Sequence, residues 1–160
     1  MSAAVQTWVN LLGLIFQAFV VSRIFKYLGV RSAILILPIV ALSGYSIVAL
    51  IPVATVIMGS KILENSTDYS IWNTTRNALF LPTTREAKYK AKQAIDSFFW
   101  RAGDLLQAGV VYAGTELVVL SLRHFALLNV VFASLMLAIA VALYREHRKI
   151  TAAVTDEQAA

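Results

Sequence analysis

Apolar runs of membrane-crossing length alternate along this chain with short polar connections. Residues 9–24 are apolar apart from Asn10, Gln17 and Ser22 and end in a basic stretch, Arg23, Lys26 and Arg31, around Gly29. A signal peptide has the opposite order, with charges first and a small-residue cleavage site after, so the pattern predicts a retained span. Residues 33–50 carry no ionisable group except Tyr45 and end at Ile51-Pro52, a short reversal. Residues 53–73 begin apolar and then carry Lys61, Glu64 and Asp68, with Arg76 beyond them, before the stop at Leu81-Pro82. The spacing of Thr83 and Glu86 is that of a capping box and predicts a helix start there. Residues 95–120 set Asp96, Arg101, Asp104 and Glu116 among apolar residues, and residues 125–144 hold no charge at all. From about Thr151 the chain is a polar tail, expected to lack structure. Runs of roughly 18 apolar residues suffice to cross hydrocarbon, so the expected architecture is an all-α polytopic bundle with about five transmembrane helices.

Composition points to the same solvent. The chain is 59% hydrophobic and 14% charged, with a mean hydropathy of +0.71, whereas soluble domains carry about a quarter of their residues charged. A net charge of +5 would suit nucleic acid, but the basic residues sit at the ends of apolar runs, as membrane anchoring requires. The absence of Cys excludes disulfides and thiolate chemistry, and His124 and His147 are far apart, so no metal or other cofactor is expected. Nothing in the chain forms a Ser-His-Asp or paired-carboxylate constellation, which argues against an enzyme.

The basic clusters set an orientation. Arg23, Lys26 and Arg31, then Arg85, Lys88, Lys90 and Lys92, then Arg145, Arg148 and Lys149 fall on one side if the helices alternate. The positive-inside rule makes that side cytoplasmic, with the N-terminus outside and the C-terminus in the cytoplasm of an inner, or plasma, membrane. This alternation requires the polar third run to be a span.

The spans divide into two kinds. Residues 33–50 and 125–144 are uniformly apolar and are expected to face lipid. The charge-bearing runs should turn inward, because a charge at the bilayer centre costs about 2.5–3.5 kcal/mol on insertion scales. Lys61, Glu64, Asp68 and Trp72 recur at spacings that place them along one helical face, a candidate pathway lining. Candidate substrate-pathway or gating residues are therefore Lys61, Glu64, Asp68, Arg76, Asp96, Arg101 and Asp104. For Arg76 and Asp96 a salt bridge at a helix end or gate is favoured over substrate contact. The competing reading is local neutralisation, Lys61 by Glu64 and Arg101 by Asp104, each at i, i+3. The sequons at Asn65 and Asn73 lie at membrane depth or on the cytoplasmic side and are discounted.

Residues 73–104, NTTRNALFLPTTREAKYKAKQAIDSFFWRAGD, carry a resemblance. They are similar to the connection between the tenth and eleventh helices of bacterial proteins resembling the ATP/ADP translocases of plastids and intracellular bacteria, within the major facilitator superfamily. In those relatives a TxRExLYLP-like helix end precedes a basic YKAK segment and an RxGD turn. Thr75, Arg76, Leu79, Leu81 and Pro82 match the first, Lys88 to Lys92 with Ile95 and Asp96 the second, and Arg101, Gly103 and Asp104 the third. Asn77 stands where many relatives have Glu. Residues 22–31 resemble the connection between the eighth and ninth helices. The resemblance implies the last five helices of a twelve-helix fold, with the ninth and twelfth peripheral and the tenth and eleventh near the cavity.

The function so implied is the C-terminal portion of a secondary transporter that moves a small anionic solute, a nucleotide among the candidates, by alternating access. Transporters of this superfamily bind between two halves, so the expected partners are the bilayer, the solute, and a missing N-terminal half or separately encoded subunit. The alternative is a non-transporting membrane adaptor or assembly subunit whose buried charges serve helix packing.

Overall fold

A computed structural model describes residues 3–80 and 85–159, and every regular element among them is helical. The elements join into five rods. The first runs from α1 (Ala3–Ile15) through a π-helical turn, Phe16–Val20, into α2 (Val21–Tyr27). Gly29, at a φ of +77°, breaks it; that left-handed conformation favours a residue without a Cβ. The second rod is α3 (Gly29–Ala33) followed, after a turn, by α4 (Ile36–Leu50). Pro38 is tolerated in the first turn of α4, where its missing N–H has no intrahelical partner to lose. Ile51 becomes extended ahead of Pro52 and ends the rod.

The third rod is α5 (Ala54–Thr67), a π-helical turn at Asp68–Trp72, and α6 (Asn73–Leu79). The fourth comprises α7 (Arg85–Ala94), a π turn at Ile95–Phe99, α8 (Trp100–Tyr112) and a further π turn at Ala113–Leu117. The last is α9 (Leu122–Ala159). The capping pair expected at Thr83 falls partly outside the described residues. Where a tail without structure was expected, the backbone of α9 stays helical through Ala159, in keeping with the helix-forming alanines at 152, 153 and 159.

Each rod overlaps one of the five runs expected from hydropathy, with different bounds, and the rods are not equally suited to hydrocarbon. Val5–Tyr27 and Leu122–Glu146 are long and apolar enough to cross a membrane, and Ile36–Leu50 is apolar but shorter. The charges of the third and fourth rods keep them below that standard.

α4 lies at the centre, packed against both α5 and α9, while α1 packs on α5 and α3 on α6. This corrects the expectation that residues 33–50 face lipid. Leu37, Pro38, Ala41, Val48 and Ala49 are buried, and only part of the helix, with Ile39 and Leu50, is outward. The seams are made of small residues. A Cβ on Gly44 would sit 3.3 Å from the Cβ of Ser60, so α4 and α5 approach closely there. α9 buries Ala126, Ala133 and Ala140, one every seven residues, as its seam. Leu127, Val131 and Leu135 on the same helix are exposed.

Buried hydroxyls are satisfied within their own helix. Thr67, Ser70 and Thr75 donate to the carbonyl four residues back, and Ser66 donates both to Ile62 at 2.6 Å and across to Val9 of α1 at 3.2 Å. Gln17 and Thr74 bond side chain to side chain at 3.2 Å, tying the first rod to the third. Outward, the molecule presents large apolar side chains, among them Leu14, Phe19, Leu105 and Leu106 at 66–75% exposure. Such a surface suits hydrocarbon rather than water.

Candidate functional site

The fourth rod stands off from the others. It meets them where Arg76 Nη1 lies 3.8 Å from Asp96 Oδ1, and where Gly114 lies against Phe125. A Cβ on Gly114 would come within 2.5 Å of the end of the Phe125 ring, so a larger residue there would have to displace that ring. Between these contacts a cavity of about 570 Å³ opens among α4, α5, α8 and α9. Its polar lining is Tyr45, Lys61, Glu64, Gln107 and Asn129, and an adjoining hollow of about 210 Å³ shares all five.

Each helix delivers its residue through its periodicity. Lys61 and Glu64 lie three apart on α5 and project to one face. On α9 the seam with α4 uses Ala126 and Ala133, whereas Phe125, Asn129 and Phe132 form the neighbouring stripe that faces the cavity. Tyr45 reaches in from α4, and its hydroxyl lies 2.9 Å from both Oε1 and Oε2 of Glu64, donating a single proton shared between them. Such a bond to a carboxylate is stronger than a neutral one. Lys61, although within helical reach of Glu64, forms no ion pair with another described residue and is exposed to the cavity. Asn129 donates to the Phe125 carbonyl at 2.9 Å, which leaves its amide oxygen free. Gln107 makes no side-chain hydrogen bond among the described residues.

Of the residues expected to line a pathway, Lys61 and Glu64 are brought together on the cavity. Asp68 lies one turn further along, in the π turn, and does not line it. Arg76 and Asp96 meet each other across the third and fourth rods. Arg101 and Asp104 are exposed on α8 and form no ion pair with each other or with any other described residue. The local neutralisation expected at Lys61 and Glu64 is displaced by Tyr45. Tyr45, Gln107 and Asn129 were not among the expected site residues; their signal in the sequence was a lone polar side chain within an otherwise apolar stretch.

This arrangement offers one unpaired cation, one carboxylate held by a phenol, two amides and two aromatic rings around a solute-sized space. A concave space with a few convergent polar groups suits the binding of a small solute. A family model described as TLC ATP/ADP transporter matches residues 9–149. No curated protein and no solved structure matches the chain.

Proposed function

We propose, from the premise that this chain belongs to the TLC ATP/ADP transporter family, that it is the C-terminal portion of a secondary transporter that moves a nucleotide or similar small anion by alternating access. The family is one of transporters, and two helices are long and apolar enough to cross a bilayer, so this is a membrane protein. In the proposed topology all five rods cross an inner membrane, with the N-terminus outside and the C-terminus in the cytoplasm. The basic clusters at Arg23 to Arg31, Arg85 to Lys92 and Arg145 to Lys149 support it. The second half of a twelve-helix major facilitator fold is the architecture that residues 73–104 favour by resemblance.

The observation that carries the reading is the family match together with the cavity that the fourth rod shares with α4, α5 and α9. The partner in this reading is an N-terminal half, on the same polypeptide or separately encoded, that closes the cavity from the side left open by α8. An adaptor held together by local charge pairs is less well supported, because neither Lys61 with Glu64 nor Arg101 with Asp104 forms such a pair.

The test is uptake of labelled ADP by cells that express the chain together with any in-frame upstream sequence. Uptake above that of empty cells, lost on Glu64→Gln with the protein still in the membrane, is the expected result. No uptake of any nucleotide or other anion refutes the transport reading.

A further inference from the structure

We propose that Lys61 is the residue of the cavity among α4, α5, α8 and α9 that binds the phosphate of the nucleotide in the transport reading, and that Tyr45 is the positioning residue that keeps Lys61 available by holding Glu64. The proposal gives the site of the transport reading its ligand chemistry and rests on that reading for its purpose. Lys61 and Glu64 are oppositely charged and stand one helical turn apart on α5. Lys and Glu at i, i+3 ordinarily meet, and the pair would then present no net charge to the cavity. Here the Tyr45 hydroxyl, 2.9 Å from both oxygens of Glu64, holds the carboxylate through one shared proton, and Lys61, which lines the same cavity, forms no ion pair with another described residue.

An ammonium that makes no direct ion pair among membrane helices calls for water or an anionic ligand. Lysine binds phosphate as a compact point charge with three donors. The rest of the lining suits the remainder of such a molecule. Phe125 and Phe132 on α9 line the space, and the Gln107 amide and the Asn129 amide oxygen can pair with the edge of a base. A volume of about 570 Å³ lies within the range of small-ligand pockets. In this scheme the phosphate end lies toward α5 and the ring toward α9. Glu64 is not a ligand. Its release from Tyr45 would let it neutralise Lys61 and eject the anion.

The test is equilibrium binding of ADP, with uncharged adenosine as control, to the full purified chain in phosphatidylcholine nanodiscs. Wild type should bind ADP and bind adenosine much more weakly. Loss of a charged hydrogen-bond donor in Lys61→Gln should weaken ADP binding about tenfold or more, and Lys61→Arg should retain most of it. Tyr45→Phe should weaken ADP binding several-fold, roughly half the Lys61 effect on a logarithmic scale. Adding Glu64→Gln to Tyr45→Phe should restore it, because a neutral amide cannot neutralise the ammonium. That restoration is what a merely structural Tyr45 would not produce. The proposal is overturned if wild type does not bind ADP, if Lys61→Gln binds as wild type does, or if the double variant is as weak as Tyr45→Phe alone. Cellular uptake is a separate readout. Uptake that persists while binding ignores Lys61 removes this site and leaves the transport reading, whereas Lys61-dependent binding without uptake does the reverse.

Discussion

The hydroxyl of Tyr45 lies 2.9 Å from each carboxylate oxygen of Glu64, across the close seam between α4 and α5. Hydrogen bonds to charged groups contribute about 1.5–3 kcal/mol, so Tyr45→Phe should lower the thermal unfolding temperature of the detergent-purified protein. Glu64→Gln keeps an acceptor for the phenol and should lower it less. An unfolding temperature unchanged in Tyr45→Phe would show that the bond does not form in the membrane protein.

The Arg76 and Asp96 contact is a different kind of interaction. It is long, at 3.8 Å, and its side chains are 31% and 58% exposed. Solvent screening limits such pairs to about 1 kcal/mol or less. A double-mutant cycle of Arg76→Gln and Asp96→Asn, read as thermal unfolding, should give a coupling within that limit. A coupling of several kcal/mol would mean that the third and fourth rods are clamped far more tightly than this geometry allows.

Arg101 and Asp104 are exposed on α8 and unpaired with each other. Breaking a buried pair costs about 3–5 kcal/mol, whereas exposed substitutions usually stay within about 0.5 kcal/mol. Arg101→Gln and Asp104→Asn should therefore each leave the amount of inserted protein near wild type. A large loss in either single variant, recovered in the double, would restore the structural-pair reading.

The alanine seam of α9 makes a prediction about packing. Ala133 is buried against the neighbouring helices, and Val131 on the same helix is 62% exposed. Overfilling a packed seam costs about 1–3 kcal/mol, so Ala133→Leu should destabilise the protein by that order. Val131→Ala should have almost no effect in the same unfolding assay. Equal tolerance at the two positions would show that α4 and α9 are not packed as described.

Much of the helical framework was legible in the sequence, because several rod ends are marked by a change from apolar to charged residues or by a proline such as Pro52, although the continuation of α9 to Ala159 was not. The π-helical turns were not, since one extra residue in a helical turn leaves no mark on composition. Nor was the central place of α4. A helix that faces lipid and one that packs on other apolar helices share a composition, and only the small residues at the seams separate them. Lys61 and Glu64 were found by their spacing, but the hydrogen-bond partner of Glu64 was not. That partner, Tyr45, lies nineteen residues away and becomes a neighbour only when α4 packs on α5. Gln107 and Asn129 carry no charge, and a single amide in an apolar helix does not distinguish a cavity-lining position from a packed one.

The central claim is that the space between α8 and the other helices is wet and lies on the path of an anionic solute. The chain contains no cysteine, so single substitutions report without background. The decisive measurement is the rate at which Gln107→Cys and Asn129→Cys react with a membrane-impermeant maleimide, with and without ADP, with Val131→Cys as the outward-facing reference. The account predicts that both cavity positions react, that ADP slows them by at least several-fold, and that Val131→Cys reacts poorly in either case. Cavity positions that stay unreactive, or that react at the same rate with and without ADP, would contradict it.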